Sequence, residues 1–141
     1  MKEYLSTSII NAPLEVVWAI LTDGNGYAGW NPEIVKIDGP ITLGGRITAH
    51  VRLGDGAIRA VTQRVTALER ATRMQWVGGL PLGLFVGQRT FTLTPKTNAT
   101  EFRMHLRMSG PLSSLILKSV GDRQPEIDSF SAALKRRAEN H

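Results

Sequence analysis

The sequence predicts an α+β fold: a curved antiparallel sheet of about six to seven strands wrapped around a long C-terminal helix, with short helices between the first two strands. Three observations carry this. Apolar residues in the stretch from Pro111 to His141 recur at Leu112, Leu115, Ile116, Val120, Ile127, Phe130, Leu134 and Ala138. These steps of three, four and seven fit a helix, with Lys118, Glu126, Lys135, Arg136 and Glu139 on the opposite face. The middle of the chain instead alternates apolar and polar residues between tight turns, the mark of antiparallel strands with one buried face. A twisted sheet of that length curls, and the helix needs cover for its stripe, so Leu115, Ile116 and Phe130 are expected to face the sheet.

Taken in order, Tyr4 to Ile10 reads as a first strand. Asn11 or Ala12 then caps a short helix with Pro13 in its first turn and Leu14, Val17, Trp18 and Leu21 on its apolar face, ended by Asp23-Gly24. Gly24 to Gly29 spells GxGxxG, but it follows a helix and runs into Trp30-Asn31-Pro32. A dinucleotide site needs the string between a strand and a helix, so this one reads as a connection. Strands follow at Glu33–Asp38, Arg46–Leu53, Ala57–Leu68, Arg73–Val77, Leu84–Thr94 and Thr100–Ser109. Gly54-Asp55-Gly56 and Pro95–Asn98 read as turns, and Gly78–Gly83 as an apolar loop, either a flap over a cavity mouth or a packed connection. Pro125 removes a helical hydrogen bond and crowds the carbonyl of Gly121, predicting a kink in the last helix.

At 141 residues the chain is expected to form one domain spanning 1–141, long enough to bury a core and to enclose a cavity. It has no cysteine, which removes disulfides and thiolate metal sites. No apolar run is long enough to cross a membrane and the N-terminus lacks a signal-peptide core, so a cytoplasmic location is the default. Asn98-Ala99-Thr100 reads as a turn rather than a glycosylation site. The net charge of +5 is spread along solvent-facing strand positions, with one cluster at Lys135-Arg136-Arg137. That pattern argues against nucleic acid and is compatible with weak attraction to an anionic membrane surface.

The run Ile10-Asn11-Ala12-Pro13-Leu14-Glu15-Val16-Val17-Trp18, then Leu21-Thr22-Asp23 and Trp30-Asn31-Pro32, is similar to the opening of the START-like (SRPBCC, polyketide cyclase/dehydrase and lipid transport) superfamily. The ending Leu134-Lys135-Arg136-Arg137-Ala138-Glu139 resembles that group too, so the likeness spans the chain. The resemblance implies a helix-grip fold with an apolar cavity between sheet and C-terminal helix. It also implies a role in binding or carrying a small hydrophobic ligand such as a lipid, a polyketide-like chain or an aromatic. A cyclase/dehydratase-type enzyme using the same cavity, and a co-chaperone-like interaction module, are the alternatives. The family's oxygenase iron ligands have no counterpart here; with only His50, His105 and His141, no metal or other cofactor is expected. The oligomeric state, monomer or homodimer, stays open.

The candidate ligand-binding residues are Gln63, Met74, Trp76, Phe85, Arg89, Phe91, Met104, Leu106, Leu115, Ile116, Val120 and Phe130. Trp18 and Trp30 read as core, Trp76 as core or cavity lining, and Met104 and Met108 as core filling in the absence of a ligand. Arg89 shares the inward parity of Phe85, Phe91 and Leu93. Either a frayed end or bulge re-aims it, or it stands at the cavity and orients an anionic or carbonyl group. Gln63, also inward, is a second polar contact or a hydrogen-bonded core residue. Arg123 falls on the helical stripe, so a bend turns it outward, or the Gly121–Pro125 stretch is a hinge admitting ligand. No catalytic set is visible: Asp and Glu sit almost wholly in turns, caps and outer positions, with no carboxylate pair on the inner faces.

Overall fold

The computed structural model describes residues 1–140; His141 lies outside the described residues. Seven antiparallel strands form one sheet in the order β1-β7-β6-β5-β4-β3-β2. They are β1 (Lys2–Ile10), β2 (Ile34–Asp38), β3 (Arg46–Arg52), β4 (Ile58–Glu69), β5 (Arg73–Leu80), β6 (Phe85–Lys96) and β7 (Ala99–Ser109). From β2 to β7 each strand pairs with the next through a short connection, and β1 returns to pair with β7, Lys2 opposite Met108 through Ile10 opposite Thr100. The crossover from β1 to β2 carries α1 (Leu14–Thr22) and a 3-10 turn over Gly24–Gly29. The GxGxxG string is thus packed structure: Tyr27 within it is fully buried.

Several boundaries differ from the sequence reading. Pro13 is itself the N-cap of α1, in extended conformation with no side-chain cap, so neither Asn11 nor Ala12 caps the helix. Gly78 to Leu80 is strand rather than loop, paired with Gly87, Val86 and Phe85, which leaves only Pro81–Gly83 as a turn. A ladder needs backbone groups alone, so glycines can extend it. Pro95 likewise lies within β6, opposite Thr100.

The long terminal helix is two helices, α2 (Ser113–Val120) and α3 (Gln124–Glu139). Gly121 takes φ 76°, a left-handed conformation that glycine adopts without a β-carbon clash, and it stops α2 there. Pro125 does not bend a continuous helix. It sits in the first turn of α3, where a missing N–H costs nothing.

α3 is the core helix. It buries Ile127, Phe130, Ala133, Leu134 and Ala138, and runs alongside edge strand β1. Ser6 Oγ–H donates to Ser131 Oγ at 2.7 Å, Gln124 donates to the Leu5 carbonyl at 3.0 Å, and Lys135 donates to the Ile9 carbonyl. Gln124 and Lys135 thereby occupy carbonyls an edge strand would otherwise leave open to another chain. Phe130 anchors an aromatic cluster, stacked on Phe102 at 6.1 Å and packed against Phe91 at 5.7 Å, Trp30 at 5.6 Å and Tyr27 at 6.1 Å. α2 contributes little to the core: Ser113 is its one buried residue, and Leu115, expected against the sheet, is 63% exposed. Ile116 is half-buried and faces the sheet across a cavity.

Candidate functional site

The inward face of the sheet divides into two regions. Towards α3 it is filled by Met74, Trp76, Phe91, Phe102 and Met104, each with no exposed surface. Towards α2 it is open, because the inward positions of β5 and β6 there are Gly78 and Gly87, opposite one another in the ladder. The result is a cavity of about 340 Å³ under α2. Its wall is apolar where Val51, Leu53, Val61, Leu106, Met108 and Ile116 line it.

Of the twelve candidate residues, Gln63, Phe85, Arg89, Leu106, Ile116 and Val120 line this cavity. Met74, Trp76, Phe91, Met104 and Phe130 do not; they pack on one another in the aromatic region, where Phe130 fills the space. Leu115 points to solvent on the outer side of α2.

The floor of the cavity carries a buried ion cluster. Arg89 keeps its inward parity and is 4% exposed; no bulge or fraying re-aims it. Its Nη1–H donates to Glu33 Oε1 at 2.7 Å and its Nη2–H to Glu33 Oε2 at 2.8 Å, a bidentate pair. Arg123 also points inward, 2% exposed, and its Nη2–H donates to the same Oε2 at 2.9 Å. The expectation that a bend turns Arg123 outward fails because the chain breaks at Gly121 and restarts with Arg123 as the N-cap of α3. Glu126, a turn further on, places Oε2 3.9 Å from Arg123 Nη1.

Glu33 is the residue the sequence reading missed, and it is fully buried. Asn31 holds it: Asn31 Oδ1 accepts from the backbone N–H groups of Glu33 and Ile34, both at 2.9 Å. The Glu33 carbonyl accepts from Arg52 N–H at 2.7 Å. The Trp30-Asn31-Pro32 stretch therefore delivers a carboxylate to the two arginines, behind the cavity wall that they line. A signal for it existed: two inward arginines require a counter-charge, since removing a partner from a buried pair is expensive.

Electrostatics follow from burial. Loss of water pulls the Arg89 guanidinium down, but the charge and hydrogen bonds of Glu33 outweigh that and raise it above its ordinary value. Tyr27, beside this cluster, is pushed well above the ordinary phenol range, mainly by burial, with Arg89 opposing. It stays protonated and donates to the Leu21 carbonyl at 2.6 Å.

Two polar atoms at the cavity have no partner: Arg89 Nε and Gln63 Oε1. No carboxylate, imidazole, thiol or phenol stands among the described residues that line it. His50 and His105 lie away from it, beside Asp38 at 2.7 Å and Glu3 at 3.2 Å. Among the described residues no group of three His, Cys, Asp or Glu side chains is placed to hold a metal ion, and no helix is long and apolar enough to cross a membrane.

A family model described as polyketide cyclase / dehydrase and lipid transport matches residues 3–139. Solved structures share the fold at low identity. A START superfamily protein from Mycobacterium smegmatis superposes with a TM-score of 0.72 at 16% identity, over 98% of this chain and 97% of that one. The protein TTHA0849 from Thermus thermophilus gives a TM-score of 0.74 at 18% identity, over 97% of both chains. DynU16, a protein of the dynemicin biosynthetic locus, gives 0.66 at 21% identity, over 99% of this chain and 48% of its own. No functionally curated protein matches the sequence.

Proposed function

The chain belongs to the polyketide cyclase / dehydrase and lipid transport family, and from that premise we propose that it binds a small hydrophobic molecule in the cavity under α2. The observation that carries this reading is the glycine pair. Gly78 and Gly87 stand on the inward face where the same strands carry Met74, Trp76, Phe91 and Leu93 further along. A core built only for stability would fill that space, because empty volume forfeits packing contacts. About 340 Å³ lies at the small end of the range for ligand pockets.

Gly87 also offers the test. A β-carbon there would meet only the Phe85 ring at 3.7 and 3.8 Å and the Gly78 carbonyl oxygen at 3.9 Å, ordinary contact distances. Gly87→Leu therefore fills the cavity without straining the backbone. The expected result is loss of binding of an uncharged apolar fluorophore, such as N-phenyl-1-naphthylamine, with the melting temperature unchanged or raised. Unchanged fluorophore binding by a folded Gly87→Leu variant would exclude this cavity as the site.

Holding suits the lining better than turnover. A cyclase or dehydratase reaction needs a group that moves a proton, within about 3 Å of the reacting atom. The cations here are engaged instead: Arg89 and Arg123 are hydrogen-bonded to Glu33.

The mouth suits loading from an anionic membrane surface. Leu82 at the tip of the β5–β6 turn is 97% exposed, flanked by Leu80 and Leu84, and Leu115 of α2 is exposed as well. The Leu84 carbonyl accepts from Leu112 N–H at 2.9 Å, so turn and helix share one edge of the cavity. Neither stretch, Gly78–Gln88 or Ser109–Gly121, contains an acidic residue, and the charge on the second is Lys118. Apolar tips beside a cation, on a chain of net charge +5, fit an anionic interface.

A further inference from the structure

The unpartnered atoms at the cavity define the polar end of the ligand. Arg89 commits both Nη groups to Glu33 and keeps a buried Nε–H with no acceptor. Gln63 keeps a buried Oε1 with no donor. In the sheet Gln63 pairs with Gly78, Gly78 pairs with Gly87, and Arg89 lies two residues beyond Gly87. At the usual strand spacing and rise their α-carbons are roughly 12 Å apart. No side chain stands between them at the two glycine positions. Gln63 Cγ lies 3.0 Å from where a β-carbon on Gly78 would be, so its side chain folds across that glycine.

Charge decides which polar group belongs there. Arg89 and Arg123 carry two positive charges; Glu33 and Glu126 carry two negative ones within 4 Å of them. The cluster is balanced, so a carboxylate entering the cavity meets no surplus cation at its floor and loses its own hydration. Arg59, the remaining cation in the lining, is exposed. An anion, one of the two groups that Arg89 suggests from sequence alone, is thereby disfavoured. A buried N–H without an acceptor and a buried carbonyl oxygen without a donor each cost free energy until a ligand supplies the complement.

We propose that the cavity selects an uncharged apolar molecule bearing a carbonyl and a hydroxyl, the carbonyl accepting from Arg89 Nε–H and the hydroxyl donating to Gln63 Oε1. This rests on the ligand-binding reading above and names the ligand class for it. Selectivity follows from the site's own unmet groups, since an analogue lacking the hydroxyl leaves Gln63 Oε1 unpaired.

The test uses three compounds of similar length, 2-undecanone, 1-hydroxy-2-undecanone and decanoate, each displacing N-phenyl-1-naphthylamine from the whole protein at pH 7. The hydroxyketone is expected to bind about 3- to 10-fold tighter than the ketone, and decanoate weakest. Gln63→Met keeps the side-chain length and removes the acceptor; it should erase the hydroxyketone's advantage over the ketone. Gln63→Leu repeats the removal with a different shape, so a folding defect in one variant does not decide the result. Tightest binding by decanoate, or an advantage for the hydroxyketone that survives both substitutions, would overturn the assignment and leave the cavity reading standing. If none of the three displaces the fluorophore, or all bind Gly87→Leu as well as the unaltered protein, the cavity reading itself fails and this one with it.

Discussion

Replacing Glu33 with glutamine removes the charge that Arg89 and Arg123 share. Both arginine side chains are at least 95% buried, and their contacts to the carboxylate are 2.7, 2.8 and 2.9 Å. Breaking a buried pair by removing one partner costs about 3–5 kcal/mol, because the remaining charge is left without compensation. Glutamine retains one oxygen acceptor, which places Glu33→Gln near the lower figure. An unfolding entropy of about 2.1 cal/mol/K per residue over 141 residues is ~0.3 kcal/mol/K, so the melting temperature should fall by roughly 10 °C. Thermal unfolding followed by circular dichroism measures this directly. Glu15→Gln is the control: its pair with Arg70 is 3.4 Å long and exposed on both sides, and no resolvable change is expected there. A Glu33→Gln melting temperature within about 3 °C of the parent would refute the reasoning, since a buried cluster would then contribute no more than a surface one.

Phe130→Ala empties the centre of the aromatic cluster, where the ring contacts Tyr27, Trp30, Phe91 and Phe102, and should cost about 3–5 kcal/mol by denaturant titration. Asp38 is held below the usual carboxylate range first by its hydrogen bond to His50, with Lys36 helping and slight burial opposing. A carboxyl depressed in the folded state stabilises above its unfolded value, and that stability is lost as pH falls through the folded value. Carboxyl NMR titration should therefore give a low midpoint for Asp38 that rises in His50→Ala, the stabilisation from this carboxylate being fully present at neutral pH and lost only in acid. Leu82→Ser removes the most exposed apolar tip and should weaken sedimentation with phosphatidylserine-containing vesicles about tenfold, as should raised salt to a lesser degree; equal sedimentation of both proteins would refute the proposed membrane contact of this turn.

What the sequence revealed, and what it hid, follows from which interactions leave a periodic trace. The inward setting of Arg89 was legible because side chains alternate along a strand, and β6 is regular from Phe85 through Leu93. Glu33 was not legible, because the sequence reading set it at the start of a strand, whereas it lies one residue outside β2, and the register of β2 itself shifts between Ile34 and Lys36. The division of the terminal helix was hidden for the opposite reason. Apolar positions keep helical phase from Leu112 to Ala138, although Gly121 breaks the backbone between them. Phase alone put Leu115 on the buried stripe; the structure exposes it because α2 turns Ser113, Ile116, Leu117 and Val120 inward and leaves Leu115 on its outer side. The strand character of Gly78–Leu80 was masked by composition, since glycine and proline usually mark turns.

The ion cluster and the cavity are best understood as one device. A buried triad of this kind adds little to stability, and apolar residues of similar volume often serve a fold as well or better. Here, though, the cluster joins three parts that backbone hydrogen bonds do not tie together: the entry to β2, the middle of β6 and the junction after α2. Arg123 stands two residues past Gly121, so its bond to Glu33 fixes where α2 ends and hence where the cavity roof lies. An apolar residue at Arg123 could bury itself in many orientations; a guanidinium on a fixed carboxylate accepts few. The glycines of β5 and β6 open the space, and the charges register the helix that covers it. On that view, loss of the Arg123–Glu33 contact should loosen the roof before it unfolds the sheet, because α2 buries almost nothing of its own.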